Sequence, residues 1–241
     1  SSTVTYDKNG NMTAFGSDTY AWDYRSRLTR TTVGATTTTY AYDHTGQRVG
    51  KKVGSSATTT YPNSLYTTDG ATTTKHVYAG GMLIATVEGN GTATSTSYLH
   101  PDHLGGTNVV TNASGTAVQV LDYYPFGSER LSTGQSPTDR HFIGERYDAD
   151  TELSYLNARY YSGGRGQFVS EDPVFWKNPA SQYLQNPQSL NSYSYAENNP
   201  LVKKDPTGRC PMCGGAIIGA GAGIISQYGF DVYNNIQSNG L

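Results

Sequence analysis

Charge is scarce in this chain. Asp, Glu, Lys and Arg together make up 15% of its 241 residues, against roughly 25% in an ordinary soluble domain. The formal net charge is −2, and the basic residues are scattered, with Arg25, Arg27 and Arg30 the densest group. A phosphate-gripping surface needs clustered Lys and Arg, so the composition argues against nucleic acid as a partner. Cysteine occurs twice, as Cys210 and Cys213 in a single C-x-x-C with no His downstream. One such pair cannot complete a four-ligand zinc site by itself, and the βαβ setting of a redox pair is missing. A structural or incidental pair, a local disulfide included, is the expectation. There is no G-x-S-x-G motif and no obvious His for Cys210, which argues against a nucleophilic hydrolase. The Gly214–Ile225 stretch is small and apolar, but too short and glycine-rich to span a bilayer, which takes about 20 apolar residues. Its Gly215, Gly219 and Gly223 have the spacing of close helix packing. The sequence shows no signal peptide and opens in mid-repeat, which reads as a piece of a longer protein, so the missing export signal says nothing of the parent's destination.

What is abundant is equally telling. There are 28 Gly and 20 Tyr, and Thr crowds 36–39, 58–60 and 72–74. Thr and Tyr suit a pleated surface with one wet face, and Gly supplies turns. Tyr6-Asp-Lys-Asn-Gly-Asn-Met12 recurs as Trp22-Asp-Tyr-Arg-Ser-Arg-Leu28 and as Tyr42-Asp-His-Thr-Gly-Gln-Arg48. Each unit reads as strand, tight turn, strand, with Asp bonding its own backbone two residues on. Asn9-Gly10 predicts a type I′ turn, in which both central residues have positive φ. Asp69-Gly70, Gly89-Asn-Gly91 and Ser114-Gly115 continue the turn signals. Single hairpins are marginal in water, so these units must pair side by side in a long curving sheet. The fold class is therefore all-β, a hairpin meander of many short strands. Leu131–Arg140, rich in Ser, Thr, Gly and Pro, predicts a loop. Pro173–Ser189 predicts a second irregular stretch, with a short helix near Ala180–Leu184.

From Tyr98 the chain carries an ordered set of motifs. Tyr98-Leu-His-Pro-Asp-His-Leu-Gly105 comes first, then Asp122-Tyr-Tyr-Pro-Phe-Gly127 and His141-Phe-Ile-Gly-Glu-Arg-Tyr147. Leu156-Asn-Ala-Arg-Tyr-Tyr161, Gly166-Gln-Phe-Val-Ser-Glu-Asp-Pro173 and Asn198-Asn-Pro-Leu-Val-Lys-Lys-Asp-Pro-Thr-Gly208 follow. This order resembles the Rhs-repeat-associated core domain, and the tyrosine-rich stretch before it is similar to YD repeats. The resemblance implies a hollow β-shell, with repeats over 1–97 in the wall and a core domain over 98–208. Residues 209–241 would open a C-terminal toxin region held inside. Containment and delivery of that toxin would be the function, in a secreted or cell-surface protein used in interbacterial competition. Its partners would be its own toxin domain, the remaining shell repeats, and secretion-system or surface components. A surface adhesion protein, as in teneurin-like shells, is the alternative.

The same resemblance points to Asp172 and Asp205 as the dyad of an intramolecular aspartyl protease that cuts one residue beyond D-P-x-G. The bond expected to break is Arg209–Cys210. Two nearby carboxylates can share such work, because mutual repulsion raises one pKa and leaves one acid and one base. Holding the substrate in the same chain keeps it at high effective concentration. Asp-Pro is also an ordinary turn opening. Two departures from the family pattern stand out, Arg209 in place of the usual Leu and a long insertion over Val174–Ser189. No external substrate, cofactor or metal is implied. His100 and His103 have a ligand-like spacing but belong to a strand-turn element of the family. Glu145, Arg146, Asp148 and Arg159 read as ion-pair partners in the core. Tyr123, Tyr124, Tyr155, Tyr160, Tyr161, Tyr193 and Tyr195 suit sheet packing more than sugar stacking.

Overall fold

The computed structural model describes residues 3–135, 138–174 and 187–209. Fourteen strands, each paired antiparallel with the next, form one continuous wall. They begin with β1 (Val4–Tyr6), β2 (Met12–Phe15), β3 (Asp18–Trp22), β4 (Leu28–Val33) and β5 (Thr36–Tyr42). Next come β6 (Arg48–Val53), β7 (Thr59–Asn63), β8 (Tyr66–Thr68), β9 (Thr73–Ala79) and β10 (Met82–Gly89). The wall ends with β11 (Thr94–Pro101), β12 (Thr107–Asn112), β13 (Ala117–Tyr123) and β14 (Glu129–Gly134). A separate four-stranded antiparallel sheet follows, made of β15 (Arg146–Asp148), β16 (Leu153–Leu156), β17 (Arg159–Ser162) and β18 (Gln167–Phe168). The all-β meander is thus the observed fold. Strand β11 crosses the 97/98 position, so the repeat wall and the start of the expected core share one sheet. Cys210, Cys213 and the Ala180–Leu184 helix expectation lie outside the described residues.

The repeat owes its shape to one side chain. Asp7 Oδ1 accepts the backbone N–H of both Asn9 and Asn11 at 2.8 Å. Asp23 does the same for Arg25 and Arg27, and Asp43 for Thr45 and Gln47. Three residues beyond each Asp the chain turns left-handed, at Gly10, Ser26 and Gly46. The device recurs outside the obvious repeats, at Asp102 with Gly105 and at Asn112 with Gly115. The type I′ expectation at Asn9-Gly10 is therefore corrected, since only Gly10 has positive φ. Asp7 holds the amides at 9 and 11 and leaves a single left-handed position, as in a three-residue loop with a glycine bulge. A turn with both central residues at positive φ does occur, at Gly80-Gly81.

The Leu131–Arg140 loop expectation also needs correcting, because Leu131–Gly134 belong to β14. That strand pairs with β13 through Leu121↔Ser132 and Asp122↔Leu131 while its side chains face largely outward. An outermost strand needs only backbone partners, so its polar, glycine-containing composition imitates a loop.

The small sheet packs on the early wall. Met12, Tyr20, Leu28 and Tyr40 meet Leu153, Tyr155, Tyr160 and Val169 in one buried cluster. Cross-strand partners Tyr20, Thr31 and Thr38 form a row on that inward face. At its centre the fully buried Arg48 donates to Asp148 at 2.5 Å. The rings of Tyr40, Tyr61, Tyr155 and Tyr160 lie 4.7–5.9 Å from its guanidinium carbon. Such contacts favour a desolvated cation. Lys51 completes the cluster, pairing with Asp148 at 3.0 Å and also with Asp150.

A second polar cluster ties the Arg140–Arg146 segment down. Arg146 pairs with Asp139, and Arg140 reaches Glu145 at 3.4 Å. Burial pushes the Glu145 carboxyl up to about 7, against the pull of Arg140 and Arg146. A carboxyl raised on folding contributes stability that is complete below its unfolded pKa and lost as pH rises through 7. Glu145→Gln mimics the neutral acid, so its gain in melting temperature over the wild type is expected to be clearly larger at pH 8 than at pH 5. Each kcal/mol recovered should appear as roughly 2–4 °C in Tm, followed by circular dichroism at the two pH values.

Candidate active site

Three segments distant in sequence converge on the turn between β16 and β17. Asn157 there takes a left-handed φ of 58°, and its side-chain amide donates to the Pro206 carbonyl at 2.8 Å. The Ala158 N–H donates to the Thr207 carbonyl at 3.1 Å. The Asp205-Pro-Thr-Gly208 segment is thereby docked against the turn. Gly208 ends that contact with φ +62°, and a Cβ there would stand 2.4 Å from the Leu156 carbonyl oxygen. Only glycine satisfies both the conformation and the space.

Arg159, the first residue of β17, is the hub. Its Nη2 donates to Asp172 Oδ2 at 3.0 Å and reaches Asp205 Oδ2 at 3.5 Å. Its Nη1 donates to the Ser192 carbonyl at 2.7 Å, and its Nε donates to the Gly208 carbonyl at 2.5 Å. The guanidinium carbon lies over the Phe168 ring, 3.5 Å from its centroid. The side chains of Arg159, Asp172 and Asp205 are each 2% exposed. Asp172 Oδ1 also accepts the Val174 N–H at 2.8 Å. Asp205 Oδ1 accepts from Thr207 Oγ1 at 3.0 Å and faces the Arg209 N–H at 3.4 Å.

One cation between two buried carboxylates leaves a negative charge in excess, and burial favours uptake of a proton. Asp172 is raised above the ordinary carboxylate value, first by burial and to a lesser degree by Asp205, while Arg159 opposes the rise. Desolvation, rather than the mutual repulsion of the two carboxylates, takes the leading part. Burial also lowers the Arg159 guanidinium, against the pull of Asp172 and Asp205.

The two predicted aspartates therefore share one partner despite the inserted Val174–Ser189. Arg209 follows directly, and Cys210 lies beyond the described residues. Sequence alone marks Arg159 as a core ion-pair partner, and the fold makes it the centre of the site. The available signal was an Arg within the strand Arg159-Tyr-Tyr-Ser162, all of it buried, which requires nearby counter-charge. The other core partners also form ion pairs, with Asp148 on Arg48, Arg146 on Asp139 and Glu145 on Arg140. His100 bonds Thr111 Oγ1 and His103 the Leu201 carbonyl, both at 3.1 Å. Tyr155, Tyr160, Tyr161 and Tyr195 are packed inside, whereas Tyr124 is 54% exposed.

A sequential antiparallel wall, with a small sheet stapled across it by buried arginine–carboxylate contacts, defines a YD-shell architecture. The family model described as Teneurin YD-shell matches residues 1–201, and the chain belongs to that family. The tRNA3(Ser)-specific nuclease WapA of Bacillus spizizenii is 32% identical over 219 residues, which cover 85% of this chain and 9% of that protein. The probable deoxyribonuclease RhsB of Dickeya dadantii is 28% identical over 217 residues, 83% of this chain and 14% of that one. Among solved structures, TcdB2-TccC3-Cdc42 superposes with a TM-score of 0.70 at 21% identity, over 85% of this chain and 11% of that one. The chain thus spans about a tenth of the length of these relatives.

Proposed function

We propose that this chain is the end section of a β-shell that encloses a C-terminal toxin and frees it by cutting Arg209–Cys210. The observation that carries the reading is the meeting of Asp172, Asp205 and the Gly208 carbonyl on one buried Arg159. The proposed cut lies one residue beyond that carbonyl. Asp172, raised by its burial, is the acid, and Asp205, beside the Arg209 backbone, is the base. Water attacks the Arg209 carbonyl carbon, and Asp205 takes the water's proton. The C–N bond then breaks as Asp172 protonates the departing Cys210 nitrogen. The products are a carboxyl terminus at Arg209 and an amine at Cys210. Arg159 holds the Gly208 carbonyl one residue before the cut, so it positions the reaction.

The nuclease names of the WapA and RhsB relatives fit a toxic cargo and support the containment half of this reading, in which the parent is secreted or surface-delivered. Its tests are intact masses of the full-length parent and of Asp172→Asn and Asp205→Asn. The wild type is expected in two pieces and each variant in one. A wild type that stays whole would overturn self-release and favour a passive shell or an adhesion role.

A further inference from the structure

A cleft of about 420 Å³ opens between the turn after β13, the Gly163–Gly166 segment and the Asn191–Asn198 stretch. It shares no lining residue with the Asp172–Asp205 site, and its volume falls in the range of small-ligand sites. Tyr124 stands at it with over half its surface exposed, unlike the tyrosines packed in the core. Tyr193, also in the lining, is pinned. Its hydroxyl donates to the Gly10 carbonyl at 2.7 Å, and its ring meets Tyr6 edge-on at 5.7 Å. The polar lining is oriented as well. Asn191 Oδ1 accepts the Tyr193 N–H at 3.1 Å, which leaves its amide nitrogen as a donor. Asn198 Nδ2 donates to Gln188 Oε1 at 2.7 Å, which leaves its carbonyl oxygen as an acceptor. Gln167 and Ser128 add further neutral donor–acceptor groups.

The charge pattern narrows the ligand. Arg165 belongs to the lining, but its guanidinium sits 4.5 Å over the Phe15 ring of β2, committed to the wall. No Asp or Glu is among the described lining residues, which thus offer no carboxylate pair of the kind glycoside hydrolysis uses. A peptide that binds by strand addition needs an open sheet edge. Here β18 already pairs with β17 on one side, and Gln167 bridges to Ser194 on the other. What is offered is a pair of aromatic surfaces with fixed neutral donors and acceptors. Sugar rings match this, with C–H faces for the tyrosines and hydroxyls that both donate and accept. We infer that this cleft binds a short neutral saccharide without hydrolysing it. The fixed Tyr193 and Asn191 reduce the ordering cost of capture.

The test is saturation-transfer NMR and calorimetry on the full-length protein with chitotriose, cellotriose and a sulfated dextran oligomer. A neutral trisaccharide is expected to bind. Tyr124→Ala and Asn191→Ala should each weaken it at least tenfold, Tyr124→Phe should retain it, and Tyr98→Ala, an exposed tyrosine on β11, should leave it unchanged. Circular dichroism of each variant separates loss of binding from loss of fold. Absence of binding to both neutral probes, preference for the sulfated oligomer, or full binding by folded Tyr124→Ala would each overturn the inference.

Discussion

Arg159→Met is expected to leave the parent protein uncut and to lower its unfolding free energy by about 3–5 kcal/mol, the usual cost of stranding buried charges by removing one partner. The cost arises because Asp172 and Asp205 lose the cation they share. The Ser192 and Gly208 carbonyls lose a donor in the same step. A charge-neutral triple variant, Arg159→Met with Asp172→Asn and Asp205→Asn, should regain much of that stability and still fail to cut. Urea unfolding followed by tyrosine fluorescence reads the stability, and gel mobility reads the cutting. Arg159→Lys is a sharper probe. It keeps the charge but cannot fork to two carboxylates and two carbonyls at once, so it should fold better than the Met variant and cut slowly.

Arg48→Met should be of similar size, again about 3–5 kcal/mol, but without a primary effect on the cutting residues. Arg48, with Lys51 beside it, joins β6 of the wall to Asp148 of the small sheet, and its guanidinium sits inside four tyrosine rings. Methionine fills part of the volume but leaves Asp148 with Lys51 as its remaining ion-pair partner. The expected signature is local: faster amide hydrogen exchange over β15–β18 and little change over β9–β13. Adding Asp148→Asn should restore part of the protection. Uniform exchange across the chain would mean that the two sheets unfold as one unit.

The wall was legible because its determinants are local. An aromatic-Asp pair followed by Gly or Ser specifies a turn within five residues, and Asp7, Asp23 and Asp43 each make that turn through their own backbone neighbours. Local reading failed where a side chain chooses between two turn types, as at Asn9-Gly10, and where pairing is by backbone alone, as in β14. Arg48 went unremarked for a different reason. In Gln47-Arg48-Val49 it looks like any solvated repeat residue, and its partner Asp148 lies 100 residues further on. The site was half legible. Asp172 and Asp205 were found through their motifs, whereas the hub was not, because only the folded chain shows that Arg159 stands between them. The glycine of Asp205-Pro-Thr-Gly208 likewise acquires its reason from the Leu156 carbonyl, a contact absent from any local pattern.

The most direct measurement of the central claim is the mass of the C-terminal piece released by the full-length protein, resolved to single-residue accuracy. The expected piece begins at Cys210 and is absent in Asp205→Asn. A cut elsewhere, or the same piece from Asp205→Asn, would contradict it.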